Sequence, residues 1–123
     1  MLPLIQIRKM GIREAEEVSS LINKYFPDAN LTSTGIRNKL ADGFHFFVAT
    51  SNMEIVGFLE IRLREKSAFI VGIATEANLS NKGIGTALME HAINFAGRKG
   101  KNKIFLVVKA TNTRAINLYR RYG

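Results

Sequence analysis

The chain has 123 residues, of which 46% are hydrophobic, and it carries a formal net charge of +8. This length and composition suit a globular protein, and we expect residues 1–123 to form a single domain. Cysteine is absent, which excludes a disulfide framework, a thiol nucleophile and a cysteine-based zinc site. The chain has 2 histidines, which cannot form a metal site by themselves, so we expect no metal.

The charge and the apolar runs indicate the kind of partner. No apolar run approaches the ~20 residues of a membrane-spanning helix, and the N-terminus lacks the apolar segment of a signal peptide. We therefore expect a cytoplasmic protein without a membrane partner. The positive charge favours an anionic ligand. Nucleic acid is the less favoured one, because no aromatic platform or recognition-helix motif accompanies the basic cluster Arg98, Lys99, Lys101 and Lys103.

Hydrophobic periodicity predicts strands and helices along the whole chain. In chain order they are strand Leu4 to Arg8, helix Ile12 to Phe26, helix Ser33 to Ala41, strands Phe44 to Thr50, Glu54 to Arg64 and Ala68 to Thr75, helix Gly83 to Ala96, strand Ile104 to Ala110 and helix Asn112 to Tyr122. A tight turn at Ser51-Asn52 makes a hairpin, and the helix after Gly83 makes a parallel crossover. The order β-α-α-β-β-β-α-β-α predicts an α+β fold with a mixed, mostly antiparallel sheet flanked by helices.

A glycine-containing turn from Asn81 to Leu88 joins a predicted strand to a predicted helix. Glycine lets the backbone approach a phosphate, and the free N–H groups of a helix's first turn point at a bound anion. Lys82 adds a mobile positive charge. A dinucleotide fingerprint would need a third glycine where Leu88 stands, and a P-loop would need a Gly-Lys-Ser/Thr run that the chain lacks. By itself such a turn is more often a tight connection than a ligand site, so the surrounding sequence has to decide.

The element order and two motifs resemble the GNAT superfamily of acyl-CoA-dependent N-acetyltransferases. One family motif, Arg/Gln-x-x-Gly-x-Gly/Ala after the fourth strand, corresponds to the run from Ser80 to Gly85, with Ser80 in place of the usual Arg or Gln. The other, Asn-x-x-Ala-x-x-Leu-Tyr-x-x-x-Gly, is met at Asn112, Ala115, Leu118, Tyr119 and Gly123. Two motifs in the right order are far more specific than either alone.

The resemblance implies that acetyl-CoA is the co-substrate. It implies that backbone amides from about Asn81 to Thr86 bind the pyrophosphate, and that residues of the fourth strand bond the pantetheine arm. A backbone N–H freed where the fourth and fifth strands diverge can orient the acetyl carbonyl, and Gly72 makes a bulge there credible. The implied cofactor-binding residues are Ile73, Ala74, Thr75, Asn81, Lys82, Gly83, Ile84, Gly85, Thr86 and Asn112.

Tyr119 resembles the family tyrosine near the CoA sulfur, whose hydroxyl can protonate the departing thiolate. The alternative is a tyrosine that only packs on the core, because Leu118 and Tyr122 share its helical stripe. Asn112 resembles the residue that contacts the pantetheine arm, and it can also cap its helix.

The general base is missing from the usual family positions. Some members carry a glutamate early in the fourth strand or in the fifth, where this chain has Phe69 and Val107. The remaining candidates are Glu60, Glu76, His45 or a water held by backbone groups. Glu60 is preferred because strand alternation can direct it into the substrate cleft, although an exposed strand glutamate is the commoner situation. His91 is interpreted as a satisfied buried or boundary histidine.

The family normally continues past the glycine that matches Gly123 into two more strands, whereas this sequence stops there. Either the chain is a fragment or a shortened member, or another chain fills the gap. An uncovered apolar strand from Ile104 to Val108 is an edge prone to pairing with a neighbour. We therefore expect a homo-oligomer, such as a dimer or a swapped assembly, formed through this edge.

The resemblance leaves two functions open. The first is an N-acetyltransferase that moves an acetyl group from acetyl-CoA to a primary amine by direct attack in a ternary complex. The acceptor is a protein N-terminus, a lysine or a small amine. The alternative is a non-catalytic acyl-CoA-binding or interaction module, which the absence of a glutamate at Phe69 and Val107 favours. Turnover of acetyl-CoA discriminates between them.

Overall fold

A computed structural model describes residues 5–76 and 83–106 of the chain. These residues form a five-stranded sheet whose strands lie in chain order. The strands are β1 (Ile5–Lys9), β2 (Phe44–Ser51), β3 (Glu54–Leu63), β4 (Ser67–Thr75) and β5 (Lys103–Leu106). Helices α1 (Ala15–Tyr25) and α2 (Ser33–Leu40) connect β1 to β2, and α3 (Ile84–Arg98) connects β4 to β5. Among the described helices, none is long and apolar enough to span a lipid bilayer.

The first four strands form an antiparallel meander, and β5 pairs parallel to β4. This confirms the predicted α+β fold with a mixed, mostly antiparallel sheet. The hairpin turn between β2 and β3 lies at Asn52 and Met53, one residue later than predicted, with φ of 51° and 69°. Two successive left-handed residues suit a hairpin because their twist matches that of the strands. The predicted last helix and the residues after Leu106 lie outside the described ranges, so an oligomer formed through β5 stays a prediction.

Short one-turn helices frame α1 and make it shorter than predicted. A 3-10 turn at Ile12–Glu14 precedes it, and another at Pro27–Ala29 follows it. The Arg8 guanidinium donates two hydrogen bonds of 2.8 Å to the Glu14 carboxylate, which also accepts the Gly11 N–H at 2.7 Å. These contacts hold the pKa of Glu14 at about 2, with the Arg8 hydrogen bond as the largest cause. They also fix the entry of the chain from β1 into α1.

The helices cover opposite faces of the sheet, because neighbouring strand residues alternate between two cores. On one face Phe46, Val48 and Phe58 pack against Val18, Ile22 and Ile36 of α1 and α2. On the other face Phe47, Leu59, Ile61 and Ile70 pack against Leu88, Ala92 and Phe95 of α3. We call these the α1–α2 face and the α3 face.

Gly57 of β3 lets the first half of α3 approach the sheet closely. A Cβ at this position would lie 2.9 Å from the carbonyl oxygen of Ala74 and 3.3 Å from Cδ1 of Leu88. It would also lie 3.5 Å from Cγ2 of Ile84. The end of β4 and the start of α3 therefore meet at Gly57, and this contact places the residues of the candidate site.

Candidate functional site

The first turn of α3 carries the backbone groups that the sequence singled out. Gly83 caps the helix with a φ of 82°, in the left-handed region that favours glycine. The first helical hydrogen bond runs from the N–H of Ala87 to the carbonyl of Gly83 at 3.0 Å. The amides of Ile84, Gly85 and Thr86 therefore precede the first intrahelical bond and lie at the positive end of the helix dipole. Such amides can bind a phosphate.

The backbone groups of Ile73 and Thr75 point to the β5 side of β4. The Glu76 N–H donates to the carbonyl of Val56 in β3 at 2.8 Å. Because successive strand residues alternate, Ala74 also faces β3, whereas Ile73 and Thr75 face the opposite edge. The described pairing of β4 with β5 ends earlier, at Ile70 and Leu106. This edge is where the resemblance places the pantetheine arm.

A β-bulge interrupts β4 immediately before Ile73, as expected from Gly72. Glu60 is in register with Gly72 and Ile61 with Ile70, which leaves Val71 as the extra residue. A Cβ at Gly72 would lie 3.3 Å from the ring of Phe58, so a side chain here would crowd the α1–α2 face. A bulge bends the strand and changes the direction of its backbone donors.

Glu60 is buried beside this bulge, with only 3% of its surface exposed. Its carboxylate accepts a hydrogen bond of 2.7 Å from the Lys39 ammonium of α2. Lys39 also lies 4.8 Å from the centre of the Phe44 ring. The expectation of an exposed strand glutamate is therefore wrong, because α2 covers the strand and supplies a counter-charge. No local sequence signal identified Lys39, since its contact with Glu60 joins two separate elements.

The two other candidate bases lie in different surroundings. Glu76 accepts hydrogen bonds from the Lys24 ammonium at 2.9 Å and the Tyr25 hydroxyl at 3.1 Å. The bond from Lys24 is the largest cause of the lowered pKa of Glu76, which makes this carboxylate a weaker base. His45 lies on the α3 face with its ring 5.1 Å from that of Phe95. It is about 13 Å along β2 from Ala49, the residue opposite Gly57, and so does not meet the end of β4.

His91 differs from its expected state as a satisfied histidine. Its Nε2 is buried and has no hydrogen-bond partner within the described part of the chain. Its ring packs on Phe47 with 4.5 Å between ring centres. In residues 5–76 and 83–106, no three His, Asp or Glu side chains are grouped as metal ligands would be.

Four predicted site residues lie outside the described ranges: Asn81, Lys82, Asn112 and Tyr119. Their assigned contacts with the pyrophosphate, the pantetheine arm and the CoA sulfur stay predictions. The described residues of the predicted site lie close together. Ile73, Ala74 and Thr75 are the last residues of β4, and the end of β4 and the start of α3 both contact Gly57.

The chain matches a family model described as the acetyltransferase (GNAT) family over residues 15–123. It is 31% identical over 117 residues to streptothricin acetyltransferase of Streptomyces lavendulae, across 92% of this chain and 61% of that protein. It is also 31% identical over 77 residues to the [ribosomal protein bS18]-alanine N-acetyltransferase of Escherichia coli K12, across 63% of this chain and 52% of that protein. The matches thus span between half and two thirds of these relatives.

The fold is also similar to a solved structure, that of a predicted acetyltransferase of Clostridium acetobutylicum with acetyl-CoA. The TM-score is 0.80 at 19% identity, across 98% of this chain and 89% of that one. This likeness concerns the fold alone. The family model, in contrast, matches the sequence over most of its length, including Gly83 and Gly85 at the start of α3. The chain therefore belongs to the acetyltransferase (GNAT) family.

Proposed function

We propose that this protein transfers an acetyl group from acetyl-CoA to a primary amine by direct attack in a ternary complex. The observation that carries the proposal is the meeting of β4 and α3 at Gly57. There the first-turn amides of α3 lie beside a bulged strand whose backbone donors point away from β3. Membership of the family supports the same reading.

Binding of acetyl-CoA is assigned to two backbone surfaces. The amides of Gly83 to Thr86, extended by Asn81 and Lys82, hold the pyrophosphate at the positive end of α3. Ile73 and Thr75 bond the pantetheine arm through backbone groups on the open edge of β4, whereas Ala74, predicted to share this role, faces β3. Asn112 contacts the arm from the C-terminal motif. The Clostridium acetobutylicum structure was determined with acetyl-CoA, which supports this assignment by similarity of fold.

The chemistry requires one proton to leave the amine and one to reach the sulfur. The amine nitrogen attacks the thioester carbonyl carbon, and the negative charge that develops on the oxygen is stabilised by a backbone N–H of β4 after the bulge. The C–S bond then breaks. In the proposal, Glu60 takes the amine proton directly or through a water, and Tyr119 protonates the departing thiolate. The products are an N-acetylated acceptor and free coenzyme A.

The acceptor is proposed as a protein N-terminus, a lysine or a small amine. The relatives' names include an alanine of ribosomal protein bS18 and streptothricin, so they support both protein and small-molecule acceptors. We also propose that the reaction takes place in the cytoplasm, as predicted from the sequence.

One observation favours the alternative, a non-catalytic acyl-CoA-binding or interaction module. Glu60 is buried and already paired with Lys39 at 2.7 Å. This ion pair and the cover of α2 explain Glu60 as a structural residue without a catalytic role. If no other group serves as base, the fold binds acetyl-CoA without turning it over.

The test is calorimetric titration of acetyl-CoA into the full chain, combined with an assay for thiol release in the presence of amines. We expect saturable binding, weakened about tenfold by Lys82→Ala because a phosphate loses a charge-assisted contact. Lys66→Ala, which removes the same charge from an exposed strand connection, is the control and should not change the affinity. Binding without thiol release would select the non-catalytic acyl-CoA-binding module. Absence of binding would refute acetyl transfer and leave an interaction role.

A further inference from the structure

A surface cavity of about 430 Å³ lies near the C-terminal end of α3. Its lining comes from three elements and consists of Lys9, Phe47, His91, Phe95, Arg98 and Lys99. The first turn of α3, proposed to bind the pyrophosphate, is separated from Arg98 by the 15 residues of the helix, which is about 20 Å. The cavity is therefore separate from the acetyl-CoA site. We call it the basic cavity.

Three permanent cations surround the basic cavity: Lys9, Arg98 and Lys99. Within residues 5–76 and 83–106, none of them forms an ion pair with a carboxylate, since the ion pairs there involve other cations. The dipole of α3 favours Arg98 and Lys99 at its C-terminus. It does not account for Lys9, which β1 brings to the same place. Three clustered like charges repel one another unless an anion binds between them.

The floor of the basic cavity is aromatic. The Phe47 ring centre lies 4.9 Å from that of Phe95 and 4.5 Å from that of His91, both in edge-to-face packing. The Lys99 ammonium lies 5.7 Å from the centre of the Phe95 ring. His91 also brings a buried Nε2 that has no partner among the described residues. An aromatic lining with a few charged groups is typical of small-molecule sites.

We propose that the basic cavity binds a small organic anion, with its phosphate or carboxylate between Lys9, Arg98 and Lys99 and its apolar part on Phe47 and Phe95. The planar guanidinium of Arg98 suits bidentate contact with either anionic group. A volume of about 430 Å³ exceeds that of an inorganic ion and lies within the usual range for organic ligands.

Two histidines provide an independent readout of anion binding. Desolvation lowers the pKa of His45, and the charges of Lys9 and Lys99 lower it further. Desolvation, followed by the charge of Arg98, lowers the pKa of His91. An anion in the basic cavity offsets these charges, so the pKa of both histidines should rise when it binds.

The test uses phenyl phosphate, titrated into the full chain and followed by calorimetry and by NMR of the two histidines. We expect saturable binding that persists in the presence of saturating coenzyme A. Lys99→Gln should weaken it about tenfold, because one charge-assisted contact is lost. Lys66→Gln, which changes the same charge outside the cavity, should leave it within twofold. Inorganic phosphate lacks the aromatic ring and phenol lacks the phosphate, so each should bind at least tenfold more weakly than phenyl phosphate.

Several results would overturn the proposal. Displacement of phenyl phosphate by coenzyme A would place it in the pyrophosphate site instead. Equal weakening by Lys99→Gln and Lys66→Gln, or equal affinity for inorganic phosphate, would mean general charge attraction. Absence of saturation at millimolar concentrations, or unchanged histidine pKa values, would exclude the site. Circular dichroism checks that each variant is folded, and Lys9→Gln replaces Lys99→Gln if the latter is not.

Discussion

At the residue scale, Glu60 is a buried strand carboxylate that is paired with a cation from another element. It is buried on the α1–α2 face, and its charge is met by one ammonium, that of Lys39. A buried ion pair contributes little net stability, but removal of one partner leaves an uncompensated charge and is strongly destabilising. Its place opposite Gly72 and the bulge is compatible with a base for the acceptor amine. The structural and catalytic roles therefore predict different outcomes for the two partners.

Glu60→Gln should lower kcat about 10²- to 10⁴-fold if Glu60 is the base, because an amide cannot accept the amine proton. The affinity for acetyl-CoA should not change. Lys39→Gln is the matched control, since it breaks the same ion pair from the other side. Both variants should lower the free energy of unfolding, measured in urea. A similar kcat loss in both variants, or none in Glu60→Gln, would assign Glu60 to structure alone.

At the element scale, the position of α3 depends on the absence of a side chain at Gly57. The carbonyl of Ala74, 2.9 Å from where a Cβ would stand, belongs to β4 and cannot move without disturbing the sheet. Leu88 and Ile84 of α3 lie only slightly further away. One glycine in β3 thus fixes the distance between the N-terminal end of α3 and the end of β4.

Gly57→Ala should lower the free energy of unfolding by about 1–3 kcal/mol, because the added methyl group forces the backbone or α3 to shift. It should also weaken acetyl-CoA binding, since it separates the two halves of the proposed site. Gly97→Ala is the control within α3, where a Cβ has open space. That change should stabilise the protein by about 0.5 kcal/mol through helix propensity and leave binding unchanged. Thermal melts and calorimetry measure both effects, and a neutral Gly57→Ala would contradict this account.

The elements were predictable from the sequence because their signals are local. Pro27 ends α1, alternation marks the strands, and Gly83 marks the start of α3. The contacts that define the surroundings of Glu60 and the basic cavity were not predictable. Lys39 reaches Glu60 from a different helix, and Lys9 meets Arg98 only after the sheet has formed. Periodicity shows which face a residue occupies but not which charged residue covers it.

At the scale of the whole molecule, positive charge is in excess, so some cations have no carboxylate to pair with. The chain has 18 Lys and Arg against 10 Asp and Glu. On the α1–α2 side, Lys24, Lys39 and Arg62 each have a carboxylate partner. The cations of the basic cavity have none among the described residues. Within the described part of the chain, Lys9, Arg98 and Lys99 therefore surround a region in which added positive charge, such as a protonated histidine, should be unfavourable.

Protonation of His45 and His91 should make the protein less stable as the pH falls below about 6.5. Both histidines have a lowered pKa in the folded protein, so the unfolded chain binds more protons at these positions. Their contribution to the free energy of unfolding is therefore complete above the unfolded pKa. It is lost as the pH falls through the folded pKa values. Among the described residues, the charges that lower the pKa are Lys9 and Lys99 for His45 and Arg98 for His91. Protonation of Glu14 and Glu76, whose pKa values are lowered in the folded protein, reduces the stability only below their ordinary pKa of 4.5. Urea unfolding at pH 7.5 and 5.5 should therefore show a loss at the lower pH, and replacing both histidines with Gln should abolish most of it. An equal loss in that double variant would place the titrating groups elsewhere.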